Sequence, residues 1–221
     1  MDKASKFKHI CFDLDGTLID SYQNIFNATI KTLKQLKIEE SLYEPDFQKR
    51  IGHHFLDIFS ELNIPVIDIE EFINIFKGFY FDFIDDSKIY NGVENVLNSL
   101  NDHKIKISLL TTKSQDQADK IIDYFSLRKY FSLVMGRRNG IPIKPSAEPL
   151  LIICKELNVD PTDTLIVGDS ELDINCGKNA GVQTCAVSYG YRSEEKLLKE
   201  KPDFIVNRIE ELNKIIFNSK I

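Results

Sequence analysis

From Asn91 onward, short apolar runs alternate with stretches of helical spacing, and this alternation leaves few architectures open. Helical spacing covers residues 93–100, 115–124, 147–157, 174–180 and 212–217. Between them lie KISLLT (106–111), residues 131–135, TLIVGD (164–169) and VQTCAV (182–187), each suited to a buried strand. Such alternation builds a parallel sheet covered by helices on both faces. One more apolar run, FKHICF (7–12), stands far upstream, separated from the rest by much more than the usual 2–6-residue loop. In that gap Tyr22, Ile25, Phe26, Thr29, Ile30, Leu33 and Leu36 fall on one helix face, and residues 55–62 read as a shorter helix ending before Pro65. Phe72, Phe76, Phe79, Tyr80 and Phe83 repeat the helical pattern. The expectation is an α/β fold: a Rossmann-like parallel sheet core (1–18 and 87–221) with an inserted α-helical cap domain (19–86). The aromatic stripe is then the core of the insert and not a cofactor contact.

Composition removes other classes. Phe 15 and Tyr 8 within 43% hydrophobic residues exceed what a disordered chain carries. No apolar run approaches the ~18 residues of a membrane span. The N-terminal apolar stretch meets Asp13 too soon for a signal peptide. Cys11, Cys154, Cys176 and Cys185 form no C-x-x-C pair, which argues against a zinc site or a disulfide framework. Reduced thiols and a cytoplasmic location are expected. A net charge of −6 is the wrong footprint for phosphate-backbone binding. Neither nucleic acid nor membrane is an expected partner.

The polar residues that end the strands carry the chemistry, because ligands of open parallel sheets bind beyond the carboxyl ends of the strands. The first strand ends in Asp13-Leu14-Asp15-Gly16-Thr17, the next in Thr111-Thr112-Lys113, and TLIVG in Gly168-Asp169-Ser170 with Asp173 beyond. Lys144-Pro145 lies in the loop before the last of these. If the strands are neighbours, Asp13, Asp15, Asp169 and Asp173 converge on one rim. Like charges so gathered repel unless something neutralises them. Oxygen-only donors suit a hard cation, and Mg²⁺ is satisfied by a few carboxylates, water and a phosphate. Lys144 and Thr111, with the following N–H groups, can grip phosphate oxygens. A carboxylate can attack phosphorus, and a second one two residues away can move a proton. Each motif alone is weak: Asp at a strand end is commonly a cap or turn residue, and Asp169 and Asp173 also suit the first turns of a helix. Their joint order after apolar strands is the informative feature.

With these motifs the chain resembles the haloacid dehalogenase superfamily of phosphohydrolases. DLDGTLIDS resembles its first motif, Thr111 its second, Lys144 in KPSAEPL its third and VGDSELD its fourth. The insertion after DLDGT, with IYNGVENVLNSL, NAGVQTCAVSYGY and DFIVNRIEEL, is similar to the subgroup with a helical cap that contains the phosphoglycolate phosphatases. The resemblance implies that Asp13 is the nucleophile and forms an aspartyl-phosphate, and that Asp15 is the general acid and base. It implies Mg²⁺ held by the side chains of Asp13 and Asp169 and the backbone carbonyl of Asp15, with Asp173 in a supporting or water-mediated place. Thr111 and Lys144, with Thr112 beside them, would hold the phosphoryl group. An acid at Asp15 favours phosphate esters over haloacids and phosphonates. The β-phosphoglucomutase branch usually has His where this chain has Ile25, and Gly-x-x-Arg where it reads Gly52-His53-His54-Phe55. Thr112 stands where Asn is frequent.

The expected activity is Mg²⁺-dependent hydrolysis of a small phosphorylated metabolite, phosphoglycolate-like in the first instance. A mutase, a pyrophosphatase and a nucleotidase of the same superfamily are the alternatives. A two-component receiver uses similar acids, Thr and Lys but lacks the large insertion and D-x-D-G-T. A non-catalytic domain on this fold would not need all four motif positions. His53 and His54, in a loop of the insert, are candidates for reading the substrate, with plain loop polarity as the alternative.

Overall fold

The computed structural model describes residues 5–39 and 42–217. The chain divides into two compact units, residues 5–18 with 89–217 and residues 19–88.

The larger unit is built on a parallel sheet. Its strands are β1 (His9–Phe12), β4 (Lys106–Ser114), β5 (Leu133–Arg137), β6 (Thr164–Gly168), β7 (Gln183–Val187) and β8 (Phe204–Val206). Their order is β5-β4-β1-β6-β7-β8, so β1 lies between β4 and β6. Two further short strands, β2 (Ile19–Asp20) and β3 (Lys88–Ile89), pair with each other where the chain leaves and re-enters this unit. The helices of the larger unit are α5 (Val93–Asp102), α6 (Gln115–Tyr124), α7 (Glu148–Glu156), α8 (Glu171–Ala180), α9 (Glu194–Lys199) and α10 (Leu212–Phe217). Ile10, Phe12, Ile107, Leu109, Leu165 and Val167 are fully buried, as strands covered on both faces require. Cys11, Leu110, Met135 and Ile166 of the sheet pack with Leu150 and Ile153 of α7 and with Cys176 and Ala180 of α8.

Register decides which side chains share a face. Cys11 is opposite Ser108 and Ile166, and His9 is opposite Thr164. Because side chains alternate along a strand, His9, Cys11 and Asp13 point to one side of the sheet. His9 is buried there, with Nε2 2.8 Å from Ser108 Oγ and Nδ1 3.2 Å from Thr164 Oγ1. Burial pushes its imidazole pKa down to about 4.

Strand β5 begins and ends two residues later than its apolar run suggests, and β4 continues to Ser114, which pairs with Arg137. Pairing with a longer neighbour outweighs local hydropathy here. Helix α8 starts at Glu171 and not at 174, because Ser170 and Asp173 form a capping box that closes its first turn. The short helix α9 (EEKLLK) is mostly polar and gives no periodic signal.

The smaller unit is helical, with α1 (Tyr22–Gln35), α2 (Glu44–Gln48), α3 (Phe55–Glu61) and α4 (Ile69–Asp82). Its centre is aromatic. Phe55 meets Phe72 and Phe76 at ring-centroid distances of 5.0 and 4.7 Å, and Phe59 meets Phe72 at 4.7 Å, all edge-on as ring quadrupoles prefer. Phe72, Phe76 and Tyr80 are the buried part of the α4 stripe. Phe79 and Phe83 lie on its flank, where Lys31 Nζ sits 4.3 and 5.2 Å from their ring centroids. No helix among the described residues is long and apolar enough to cross a membrane.

Candidate active site

Strand β1 delivers its chemistry by ending abruptly. The Asp13 N–H still donates to Val167 O at 2.9 Å, so β6 holds the backbone of Asp13 in line with the sheet. The chain then turns tightly, with the N–H of Leu18 donating to Leu14 O at 2.9 Å. Gly16 occupies φ +79°, and a Cβ there would lie 2.3 Å from Asp169 Oδ2. Both the left-handed backbone and the space require glycine. The turn after β1 therefore rests directly on the carboxylate that follows β6.

Lys144, from the loop between β5 and α7, reaches the same place. Its side chain is 3% exposed, and Nζ donates to Asp13 Oδ1 and Asp173 Oδ1, each at 2.6 Å. The other oxygen of Asp173 accepts from Ser170 N–H and Oγ–H as part of the capping box. Asp173 thus serves the helix and the site together: one oxygen closes the first turn of α8 while the other meets the lysine. Asp169 Oδ2 accepts from Tyr191 N–H at 2.7 Å.

Asp13, Asp169 and Asp173 are buried and present carboxylate oxygens within 4.8 Å of one another. Burial raises the Asp13 pKa to about 7; Lys144 opposes the rise, while Asp173 and Asp15 add to it. Burial also holds the Asp169 carboxyl well above the usual range, with Asp13 and Asp173 reinforcing it and Tyr191 N–H and Arg192 pulling the other way. Burial works against the Lys144 ammonium, yet Asp13 and Asp173 outweigh it and keep the lysine charged. Three carboxylates with one ammonium leave negative charge uncompensated in a dry place. An all-oxygen donor set with that excess charge fits a hard divalent cation.

The four acids do not form one group. The Asp15 carboxylate stands apart from the other three and pairs with Lys113 at 3.2 Å. Two residues further along the turn than Asp13, its side chain is directed toward the end of β4. Thr111 is buried at that end, and its Oγ1 accepts from Lys113 N–H at 3.3 Å; Thr112 beside it is half-buried. His53 and His54 belong to the helical unit and are half-buried. His54 is the N-cap of α3, its Nδ1 accepting from Leu56 N–H at 3.2 Å, so one of the two histidines has a local structural task.

Lys113 completes Thr-Thr-Lys but was not among the expected site residues. Neither were Glu171 and Arg192, whose side chains meet beside Asp169 with Arg192 Nε 2.8 Å from Glu171 Oε2. Glu171 lies inside GDSELD, but Arg192 is distant in sequence and carries no motif.

A family model described as haloacid dehalogenase-like hydrolase matches residues 10–187, and the chain belongs to that family. It is 35% identical over 211 residues to a phosphoglycolate phosphatase of Aquifex aeolicus, covering 95% of this chain and 96% of that protein. It is 30% identical over 218 residues to pyrophosphatase PpaX of Bacillus cereus, covering 96% and 97%. The crystal structure of a predicted phosphatase from Clostridium acetobutylicum superposes with a TM-score of 0.80 at 27% identity, covering 95% and 97%. The resemblance read from the four motifs therefore holds, as does the parallel α/β fold.

Proposed function

We propose that the protein is a Mg²⁺-dependent phosphatase that hydrolyses a small phosphorylated metabolite through an aspartyl-phosphate on Asp13. The observation that carries this reading is the Lys144 ammonium, 2.6 Å from both Asp13 and Asp173 in a buried site that Asp169 also enters. A merely structural ion pair needs one carboxylate per lysine; a third acid beside them suits a place where cation and phosphate meet.

Lys144 occupies Asp13 Oδ1, and the other oxygen of Asp13 is the nucleophile. As its bond to phosphorus forms, the ester P–O bond breaks, and Asp15 gives its proton to the departing oxygen. Asp15 then takes a proton from water, the water oxygen attacks phosphorus, and cleavage of the acyl phosphate returns Asp13 and releases inorganic phosphate. Thr111, Thr112 and Lys144 hold the phosphoryl oxygens, and the burial of Lys144 strengthens its share. Asp13, Asp169 and the backbone carbonyl of Asp15 would hold Mg²⁺, supported by Asp173, and the bound ion would supply charge neutralisation for the phosphoryl oxygens. The helical unit is the cap that selects the leaving group, with His53 and His54 as candidate contacts.

A phosphoglycolate-like monoester is the first substrate reading, after the Aquifex aeolicus relative. Pyrophosphate is the second, after the Bacillus cereus one. The test is kcat/KM across a panel of phosphate esters and pyrophosphate with Mg²⁺, for wild type and Asp13→Asn. Turnover of at least one substrate by wild type and none by the variant is expected. Wild-type rates in the variant would overturn the assignment of the nucleophile.

A further inference from the structure

Asp169 is held by a device that no motif announces. Its Oδ2 accepts from Tyr191 N–H at 2.7 Å, and the residue before, Gly190, lies so near that a Cβ there would be 2.3 Å from Asp169 Cβ. This segment follows β7 and belongs to no helix or strand, so something else must keep it in place. The next residue, Arg192, is 2% exposed, and its Nε donates to Glu171 Oε2 at 2.8 Å. Glu171 begins α8, two residues after Asp169, where the Ser170–Asp173 capping box fixes the backbone. Its other oxygen accepts from Lys196 Nζ of α9 at 3.0 Å. One carboxylate thus joins the start of α8, the loop after β7 and helix α9.

We infer that Glu171 and Arg192 are positioning residues that clamp the Gly190–Arg192 segment onto Asp169, presetting the orientation in which Asp169 receives a divalent cation. The inference rests on the reading of Asp169 as a cation-holding residue. The chain of contacts is short. The ion pair fixes Arg192, the adjoining peptide fixes Tyr191 N–H, and that N–H engages one oxygen of the Asp169 carboxylate that stands with Asp13 and Asp173. Partners that orient a metal-binding carboxylate typically change metal affinity about 10–100-fold when removed. The buried Arg192–Glu171 contact carries the effect, because Lys196 is 48% exposed and its contact with Glu171 is screened by water.

The experiment compares Glu171→Gln, Arg192→Met and the milder Arg192→Lys, which keeps the charge and loses the planar fork. Asp203→Asn is the control, since Asp203 accepts from Thr184 N–H and Oγ–H elsewhere in the same unit. Two quantities are read: the Mg²⁺ dissociation constant by calorimetry, and the exchange rate of the Tyr191 amide relative to the β4 amides in metal-free protein. The clamp variants should weaken Mg²⁺ binding by about 10-fold and accelerate Tyr191 exchange selectively, with Arg192→Lys intermediate. Asp203→Asn should do neither, even at equal loss of thermal stability. Unchanged exchange and affinity in the clamp variants, or equal changes in the control, would overturn the inference. Asp169→Asn separates the two readings. If it leaves Mg²⁺ affinity intact, the cation-holding role of Asp169 fails, while selective Tyr191 exchange still reports whether the clamp exists.

Discussion

Lys113 Nζ stands 3.2 Å from Asp15 Oδ2, with the two side chains only 9% and 11% exposed. The residues come from the ends of adjacent parallel strands, β4 and β1, so pairing of the sheet brings them together. The pair separates the two aspartates of D-x-D: Asp13 joins the buried acids and Lys144, whereas Asp15 is held on the β4 side of the rim. The roles proposed for Asp13 and Asp15 call for that separation, because a nucleophile and a proton-transferring group address opposite sides of the phosphorus.

Asp15→Asn should therefore lose about 10²–10⁴-fold in kcat/KM with an alkyl phosphate, whose leaving oxygen needs a proton. The loss should be much smaller with an aryl phosphate that departs readily as an anion. Lys113→Met should cost less than Asp15→Asn with the alkyl ester, since the acid remains and only its orientation is relaxed. Steady-state rates across leaving groups of graded pKa check this; a uniform loss across the series would remove Asp15 from proton transfer.

Lys144→Met should destabilise the metal-free protein by about 3–5 kcal/mol, because Asp13 and Asp173 lose their common buried counter-charge. Added Mg²⁺ should raise the Tm of this variant more than that of wild type, as a cation then supplies the missing neutralisation. Thermal unfolding with and without Mg²⁺ measures both effects. A Tm gain no larger than wild type's would argue that the lysine and the cation do not share these carboxylates.

His9 predicts a pH effect away from the reacting groups. Its folded pKa is about 4 against an ordinary 6.5, so between these values the unfolded chain binds a proton that the folded one refuses. The contribution of His9 is complete above about pH 6.5, falls as the pH drops toward 4 and is flat below, a span of roughly 3 kcal/mol. His9→Gln removes the titration, so the stability difference between wild type and variant should narrow or reverse across that window. Denaturant unfolding at a series of pH values tests it, and a difference independent of pH would show that the imidazole does not titrate as its burial requires.

Strands β1, β4, β6 and β7 were readable because each is an apolar run stopped by a polar residue, and a sheet covered on both faces demands that pattern. Asp13, Thr111 and Asp169 could be singled out for the same reason, since each follows or ends a run that would otherwise be buried; Lys144 lies in a loop and stood out only through its order among the other motifs. The limits were also physical. Helix α9 is too polar to show a buried face, and the ends of β5 follow its neighbour more than its own hydropathy. The α4 stripe looked uniform, yet Phe79 and Phe83 flank the aromatic core under Lys31, since helical spacing spreads five rings over more than one contact face.

By itself the sequence determined the approximate place of the five apolar strands β1, β4, β5, β6 and β7, which acids follow them and that a stretch of helical spacing separates β1 from the others, because hydropathy and motif spacing are local properties of the chain; the short strands β2, β3 and β8 were not among them. Tertiary structure alone decided that β1 lies between β4 and β6, that Lys144 bridges Asp13 and Asp173, and that Asp15 pairs with Lys113. It also decided that Arg192 meets Glu171 beside Asp169. These partners are far apart along the chain, or held by turns whose direction depends on what they pack against. Strand order and close packing choose among them, and no local pattern encodes that choice.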